Sequence, residues 1–267
     1  MHKRCSRLAT IGELGRYPLL VSALKHSLKY EWQIRNQDQE SIVNMAYREM
    51  AEMPQLDTWY TRVQSIKTLL GVTPLYGTEY SVNMSLGRKL KSNFDRFWLD
   101  QINELKIGND GLDHNKLRFY KTLKGSFSQE PYITNILNRS QRTWLTRYRV
   151  SAVANLRIES GRYTRPVTPI TQRVCKYCDS GSVDNERHAI LECDTFRLKR
   201  NCFNGKISSL NPNFLNLSRE QKLITLLCPS NQQIALCVSK YLGIITETRS
   251  KIDKGLSFVN LMTYCKI

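Results

Sequence analysis

The fold class this sequence predicts is mainly α, a helical array with a small embedded zinc knuckle. Three observations predict it. Apolar residues recur three and four apart through most of the 267 residues, the period of an amphipathic helix. No alternation of apolar and polar residues longer than about five stands out, so strand signals are weak. Four metal-ligand residues also crowd into the nineteen residues from Cys175 to Cys193.

The elements follow in order. Pro18 suits a first helical turn, and after it Leu20, Leu24, Leu28 and Trp32 stand four apart, predicting a helix whose stripe packs into a core. Further stripes run over 41–53 and 57–70, punctuated by Pro54 and by the 71–77 stretch. Helices are expected over 93–105 and 115–123, separated by the polar turn at 108–111, and the segment 131–159 reads as one helix or two. Pro166 and Pro169 break helix before the cysteines, so a boundary is expected near residues 163–172. Helices near 218–227 and 231–251 close the chain. The expected organisation is a helical region over 11–165, a zinc knuckle over 166–205 and C-terminal helices over 206–267.

Apolar residues make up 41% of the chain and aromatics 9%, enough to bury a core. Forty Lys and Arg against 23 Asp and Glu leave a net charge of +17, which a polyanionic partner explains most directly. No stretch reaches the ~18 apolar residues that span a bilayer, and the first residues lack the apolar run of a secretory signal. A reducing compartment, nucleus or cytoplasm, is therefore expected, with no membrane partner. The eight cysteines then read as thiols or metal ligands rather than as disulfides.

Cys175 and Cys178 form a C-x2-C pair, followed by His188 and then Cys193. Thiolate and imidazole are the donors Zn²⁺ prefers, and four of them close a tetrahedral shell, so the implied role is structural rather than catalytic. Asp184 or Asn185 is placed to cap a helix running from His188 to Lys199. The five-residue step from His188 to Cys193 suits no single α-helical face, which predicts a distortion or a late helix start. Cys202 reads as a packing thiol, and Cys5, Cys228, Cys237 and Cys265 have no ligand spacing.

Between Arg139 and Lys206 the chain carries 14 Lys and Arg against 6 acids. Arg142, Arg147, Arg149, Arg157, Arg162, Arg165, Arg173, Lys176, Arg197, Lys199 and Arg200 are candidate phosphate contacts. Trp144 and Tyr148, four apart, are expected to face the core. Tyr163 and Tyr177 stay open between packing and stacking on unpaired bases.

Several blocks together, Leu156–Tyr163 (LRIESGRY) with Arg147, Ser151 and Ala152 before it, then CKYC, Asp184–His188 and Ala189–Cys193, resemble the C-terminal region of reverse transcriptases from invertebrate non-LTR retrotransposons. Gly12–Leu19 and Lys116–Lys121 also look like blocks that precede the cysteine motif there. The resemblance spans about residues 11 to 252. It implies that the CCHC zinc motif, here Cys175, Cys178, His188 and Cys193, assists binding of template RNA or target DNA, with a separate polymerase module as a further partner. A polymerase palm needs an Asp-Asp turn, and this sequence holds no Asp-Asp pair; nor do four scattered histidines (His2, His26, His114, His188) offer an endonuclease cluster. The polymerase and endonuclease domains are thus expected to be lacking, and no enzyme activity is expected. Gly-x-Ser-x-Gly and the phosphate-cradling Gly-x4-Gly-Lys-Ser/Thr are absent too. Asp184 and Glu186 read as solvated helix-start charges. Two other readings stay open: a zinc-stabilised protein–protein adaptor whose basic face meets an acidic partner, and a relic of a decayed element.

Overall fold

The computed structural model describes residues 6–71, 79–108 and 111–255. Among these, the architecture is a mainly α-helical array without a β-sheet; two isolated antiparallel bridges, Ile107 with Asp113 and Val174 with Val183, are the extended pairings. The chain divides into two compact units, one of residues 16–101 and one that joins residues 1–15 to 102–267. The expected division near 163–172 is therefore not where the chain separates. The segment around the cysteines packs into the larger unit, because Cys175, Ala189, Ile190, Cys193 and Phe196 belong to that unit's core.

The smaller unit is built from α2 (Leu19–Arg35), α3 (Ile42–Glu52), α4 (Trp59–Leu70) and most of α5 (Glu79–Asn103). Ser41 and Thr58 cap α3 and α4, each accepting a hydrogen bond from a backbone N–H three residues on. Leu28, Val63, Val82, Leu86 and Leu90 make its core, with Val21, Leu24 and Trp32 packed against them. The predicted α2 stripe is thus partly right. Leu20 is 64% exposed and Val21 takes its place. Steps of four drift about 40° per step around a helix of 3.6 residues per turn, so a strict four-spacing leaves the buried face at one end.

The larger unit starts with α1 (Arg7–Leu14), capped by Ser6 and closed by Gly15 in the left-handed conformation. A Cβ at Gly15 would run into the backbone of Ser128 and Gln129, so the close approach as well as φ requires glycine. Then come α6 (Tyr120–Leu123), α7 (Pro131–Asn135), α8 (Arg139–Arg149), α9 (Arg157–Ser160), α10 (Arg197–Leu210), α11 (Arg219–Leu227) and α12 (Gln232–Ile252). α6 is shorter than predicted, because Asn115 Oδ1 accepts from the Leu117 amide and holds the preceding residues in a turn. The segment 131–159 is three helices rather than one or two. α8 ends where Ser151 enters positive φ and its hydroxyl donates to buried Glu186 (2.9 Å).

α12 is the spine of this unit and packs most extensively on α8. Val238, Tyr241, Leu242 and Ile245 on α12 and Leu145 and Tyr148 on α8 are buried in one core. Trp144, half-buried, lies against Gly243, where a Cβ would stand 2.9 Å from its ring. The expectation that Trp144 and Tyr148 pack inward holds. Two buried ion pairs tie distant segments together, one on α8 and one on α12. Arg149 makes a fork to Glu13 (Nε–Oε2 2.8 Å, Nη2–Oε1 3.0 Å), and Arg249 pairs with Asp184 (Nη2–Oδ1 2.9 Å).

Candidate metal centre

The centre is built on a short hairpin. The Cys175 amide donates to Ser182 O (2.9 Å) and the Asp184 amide to Arg173 O (2.9 Å), flanking the Val174–Val183 bridge. Gly181, at φ 65°, makes the reversal that an L side chain would resist. The C-x2-C pair sits on the first arm, and the second arm leads into the turn carrying His188.

That turn is a π-helix over His188–Glu192, with the Cys193 amide donating to His188 O at 2.7 Å. A π-turn closes on i→i+5, so residues five apart meet as residues four apart do in an α-helix. The predicted distortion is therefore present, and it brings Cys193 back beneath His188. Of the two candidate caps, Asn185 takes the role: its Oδ1 accepts from the His188 amide at 2.9 Å. The helix expected to continue to Lys199 does not. Cys193 turns to ψ 121°, a 3₁₀ turn covers Asp194–Phe196, and α10 starts at Arg197.

Together these elements bring Cys175, Cys178, His188 and Cys193 to one point, with all four ligand atoms within 4.8 Å of one another. Cys175 Sγ and Cys193 Sγ are 3.9 Å apart, and Cys178 Sγ is 3.4 Å from His188 Nε2. Zinc bonds of ~2.3 Å to sulfur and ~2.0 Å to nitrogen imply tetrahedral edges of about 3.8 Å for S···S and about 3.5 Å for S···N. Both distances fit a metal-sized tetrahedron. The chemistry of the donors agrees. The Cys193 thiol is pulled down to about 3, first by the hydrogen bond with Cys175 and then, against desolvation, by His188. Cys175 is pushed up by the same bond. Burial opposes ionisation of Cys178, but hydrogen bonds from Ser180 outweigh it and lower its pKa. A group with ready thiolates and a buried imidazole can hold a soft divalent ion. The other ring nitrogen, His188 Nδ1, is buried and lies 3.9 Å from Glu192 Oε2, on the side where an orienting carboxylate stands in histidine–metal sites.

A supporting shell fixes the ligands. Tyr241 donates to Ile190 O (3.1 Å) inside the π-turn, and Arg200 donates to Cys193 O (2.7 Å). Thr195 donates to Tyr177 O within the C-x2-C loop. The Arg249 guanidinium lies over the Tyr177 ring at 4.6 Å, and Asp253 accepts from Tyr177 (3.0 Å) and pairs with Lys176 (2.7 Å). The end of α12 thus clasps the cysteine loop. Asp184 and Glu186 correct the sequence reading: both are buried, not solvated. Asp184 accepts from the Arg157 amide and pairs with Arg249; Glu186 accepts from Ser151 and pairs with Arg118 at 3.4 Å. Cys202 is exposed rather than packed. Glu13, Arg118, Glu192 and Arg249 were not singled out from sequence. For Arg249 a signal exists, since it follows Ile245 by four on the buried stripe of α12.

The predicted phosphate contacts divide. Arg149, Arg173, Lys199 and Arg200 are buried, which corrects their assignment to a surface. Arg149 is spent on Glu13, Arg173 on the carbonyls of Thr168 (2.8 Å) and Ile158 (2.9 Å), and Arg200 on that of Cys193. The Arg173 stem also crosses Gly161, where a Cβ would stand 2.8 Å from it, which accounts for glycine in LRIESGRY. Arg162 is half-buried and donates to His114 O (2.7 Å). Tyr177 is half-buried in the clasp. Arg165, Lys176, Arg197 and Tyr163 are exposed, and Arg142, Arg147 and Arg157 are half-buried.

The charge is uneven on a larger scale. Residues 16–101 hold 11 Lys and Arg against 9 acids, so the larger unit carries 29 against 14 and nearly all of the excess.

No family model matches the chain, and no curated protein or solved structure matches it either. Fold and site define its class: a mainly α-helical protein with a buried Cys3His group that could hold a metal ion.

Proposed function

We propose that the metal is Zn²⁺ and that the chain is a non-catalytic RNA- or DNA-binding protein, of the kind found as the C-terminal region of a non-LTR retrotransposon reverse transcriptase. The convergence of Cys175, Cys178, His188 and Cys193 to within 4.8 Å of one another carries the metal part of this reading. Four protein donors complete a zinc shell, so the ion would act as a structural cross-link between the hairpin, the π-turn and, through Tyr177 and Arg249, α12. The charge excess of the larger unit favours a polyanion and low sequence selectivity, because phosphate neutralisation is sequence-independent.

The test pairs two measurements on the purified chain. Elemental analysis is expected to find one zinc per chain, lost in a Cys175→Ser/Cys178→Ser variant. Labelled single-stranded RNA and DNA are expected to bind at low salt and release as salt rises. No zinc in protein purified without chelator would sink the metal reading. Zinc without oligonucleotide binding would shift the reading to a protein–protein adaptor.

A further inference from the structure

One groove of the larger unit joins positive charge to an apolar floor. It runs between α1 and α8, about 580 Å³ in volume, and none of its lining residues is acidic. Arg139, Arg142 and Arg147 stand along its α8 wall, and half-buried Leu14 and Ile133 are among the apolar residues that line it. Arg7 on α1 precedes Thr10, another lining residue, by one turn and so extends the basic wall on the same face.

The donors left for a ligand are arginine donors. Thr143 and Thr146 also line the groove, but each hydroxyl already donates to a backbone carbonyl one turn back, at 2.8 Å. Arg142 uses Nη1 on the carbonyls of Ile136 (2.7 Å) and Leu137 (3.1 Å), which fixes its guanidinium at the wall while Nε and Nη2 keep their protons. The Arg147 guanidinium lies 5.0 Å from the Trp144 ring centre, a flat pair of the kind that also accepts a flat ligand. From Arg139 to Arg147 the helix rises about 12 Å, so the three guanidinium groups can follow a short stretch of an extended strand.

We infer that this groove is the track for a single strand of nucleic acid, with phosphates on Arg139, Arg142 and Arg147 and unpaired bases over the apolar floor. The inference rests on the nucleic-acid reading above and adds the place and the form of the strand. A duplex presents sugar and phosphate outward and has nothing to lay on Leu14 and Ile133. A single strand has exposed base faces, which gain from apolar and aromatic surface without sequence preference. The groove lies apart from the buried basic residues of the cysteine region, which explains how so basic a segment can spend several of its arginines internally and still leave a polyanion surface.

The experiment uses the full chain and fluorescence anisotropy with labelled 12-nucleotide single strands and the matching duplex, over a range of salt. The Arg139→Glu/Arg147→Glu variant leaves Arg142 and its carbonyl bonds in place, and its circular dichroism and melting should match wild type. Expected is single-strand affinity at least tenfold weaker, with the log–log salt slope reduced by about 1.4, or ~0.7 for each lost contact. A matched reversal in the smaller unit, Lys25→Glu/Arg88→Glu, is expected to change affinity less than threefold. Equal losses in both variants, affinity within twofold of wild type in the groove variant, or duplex bound more tightly than single strand would each overturn the groove assignment. If wild-type protein binds no oligonucleotide at low salt, the nucleic-acid reading fails and takes the groove with it.

Discussion

Asp184 and Arg249 are both fully buried, and each has more than one task. Asp184 Oδ2 accepts from the Arg157 amide (2.9 Å) at the start of α9, while Arg249 pairs with Asp184 and covers the Tyr177 and Phe196 rings. Because the two sit 65 residues apart in sequence, the pair fixes the end of the hairpin against α12. Removing one partner leaves the other charge stranded without water, so Arg249→Met is expected to cost about 3–5 kcal/mol. Replacing both, Asp184→Asn with Arg249→Met, should cost clearly less than the sum of the singles. Urea unfolding of the four proteins checks this; additive losses would mean the pair is not a coupled unit. The same residues show what sequence could not tell. Asp184 lies in a polar run, and nothing local distinguishes a buried charge from a solvated one when its partner lies so far along the chain. Glu13 and Arg149, 136 residues apart, are the same case, while Arg173 and Arg200 spend their donors on backbone carbonyls, which leave no signal in the side-chain pattern. The four ligand residues were legible because their donor chemistry and their spacing lie within nineteen residues.

Elements with local signals were read well. Ser41, Ser218 and Asn231 start α3, α11 and α12 close to where the periodicity begins, each side chain accepting from a backbone N–H. The π-turn was visible only as a mismatch between a five-residue step and a 3.6-residue period, and its geometry needed the tertiary bond from Tyr241. Asn185 holds its first residue. Asn185→Ala is expected to lose about 1 kcal/mol of cap energy, and with it about fivefold in zinc affinity, since His188 is then less well placed. Competition with a chromophoric chelator measures that; unchanged affinity would mean the turn is preformed without its cap. The α8–α12 seam poses a question of sign. In an exposed helix Gly243→Ala would stabilise by about 1 kcal/mol. Here the new methyl meets Trp144 at 2.9 Å, and overpacking costs about 1–3 kcal/mol. A net loss of about 1 kcal/mol is therefore expected in the same unfolding assay, and a gain would show that Trp144 gives way freely.

At the scale of the whole molecule, the division into two units sets how metal and stability are linked. The smaller unit has its own core around Leu28, Val63 and Leu86, and its buried Glu31 is satisfied internally by Tyr47 (2.7 Å) and Lys67 (3.1 Å). It contains none of the four candidate ligands. The larger unit holds all of them, and its core includes Cys175 and Cys193 beside Ile190 and Phe196. A metal that binds a folded ligand set far better than an unfolded chain stabilises only the unit that presents that set, so the proposed zinc would act on the larger unit alone. Calorimetry is expected to show that excess chelator lowers the melting of the larger unit by about 10 °C or more, on the order of 3 kcal/mol or above. A transition assigned to residues 16–101 should move by less than 2 °C. Assignment can be made with Leu86→Ala, which opens a core cavity in the smaller unit and should lower its transition alone. If chelation instead lowered both transitions together, the units would melt as one cooperative body and the ligand set would be holding the whole chain. If it moved neither, the cysteine region would stand on its packed core and buried ion pairs, and the metal would be dispensable for the fold.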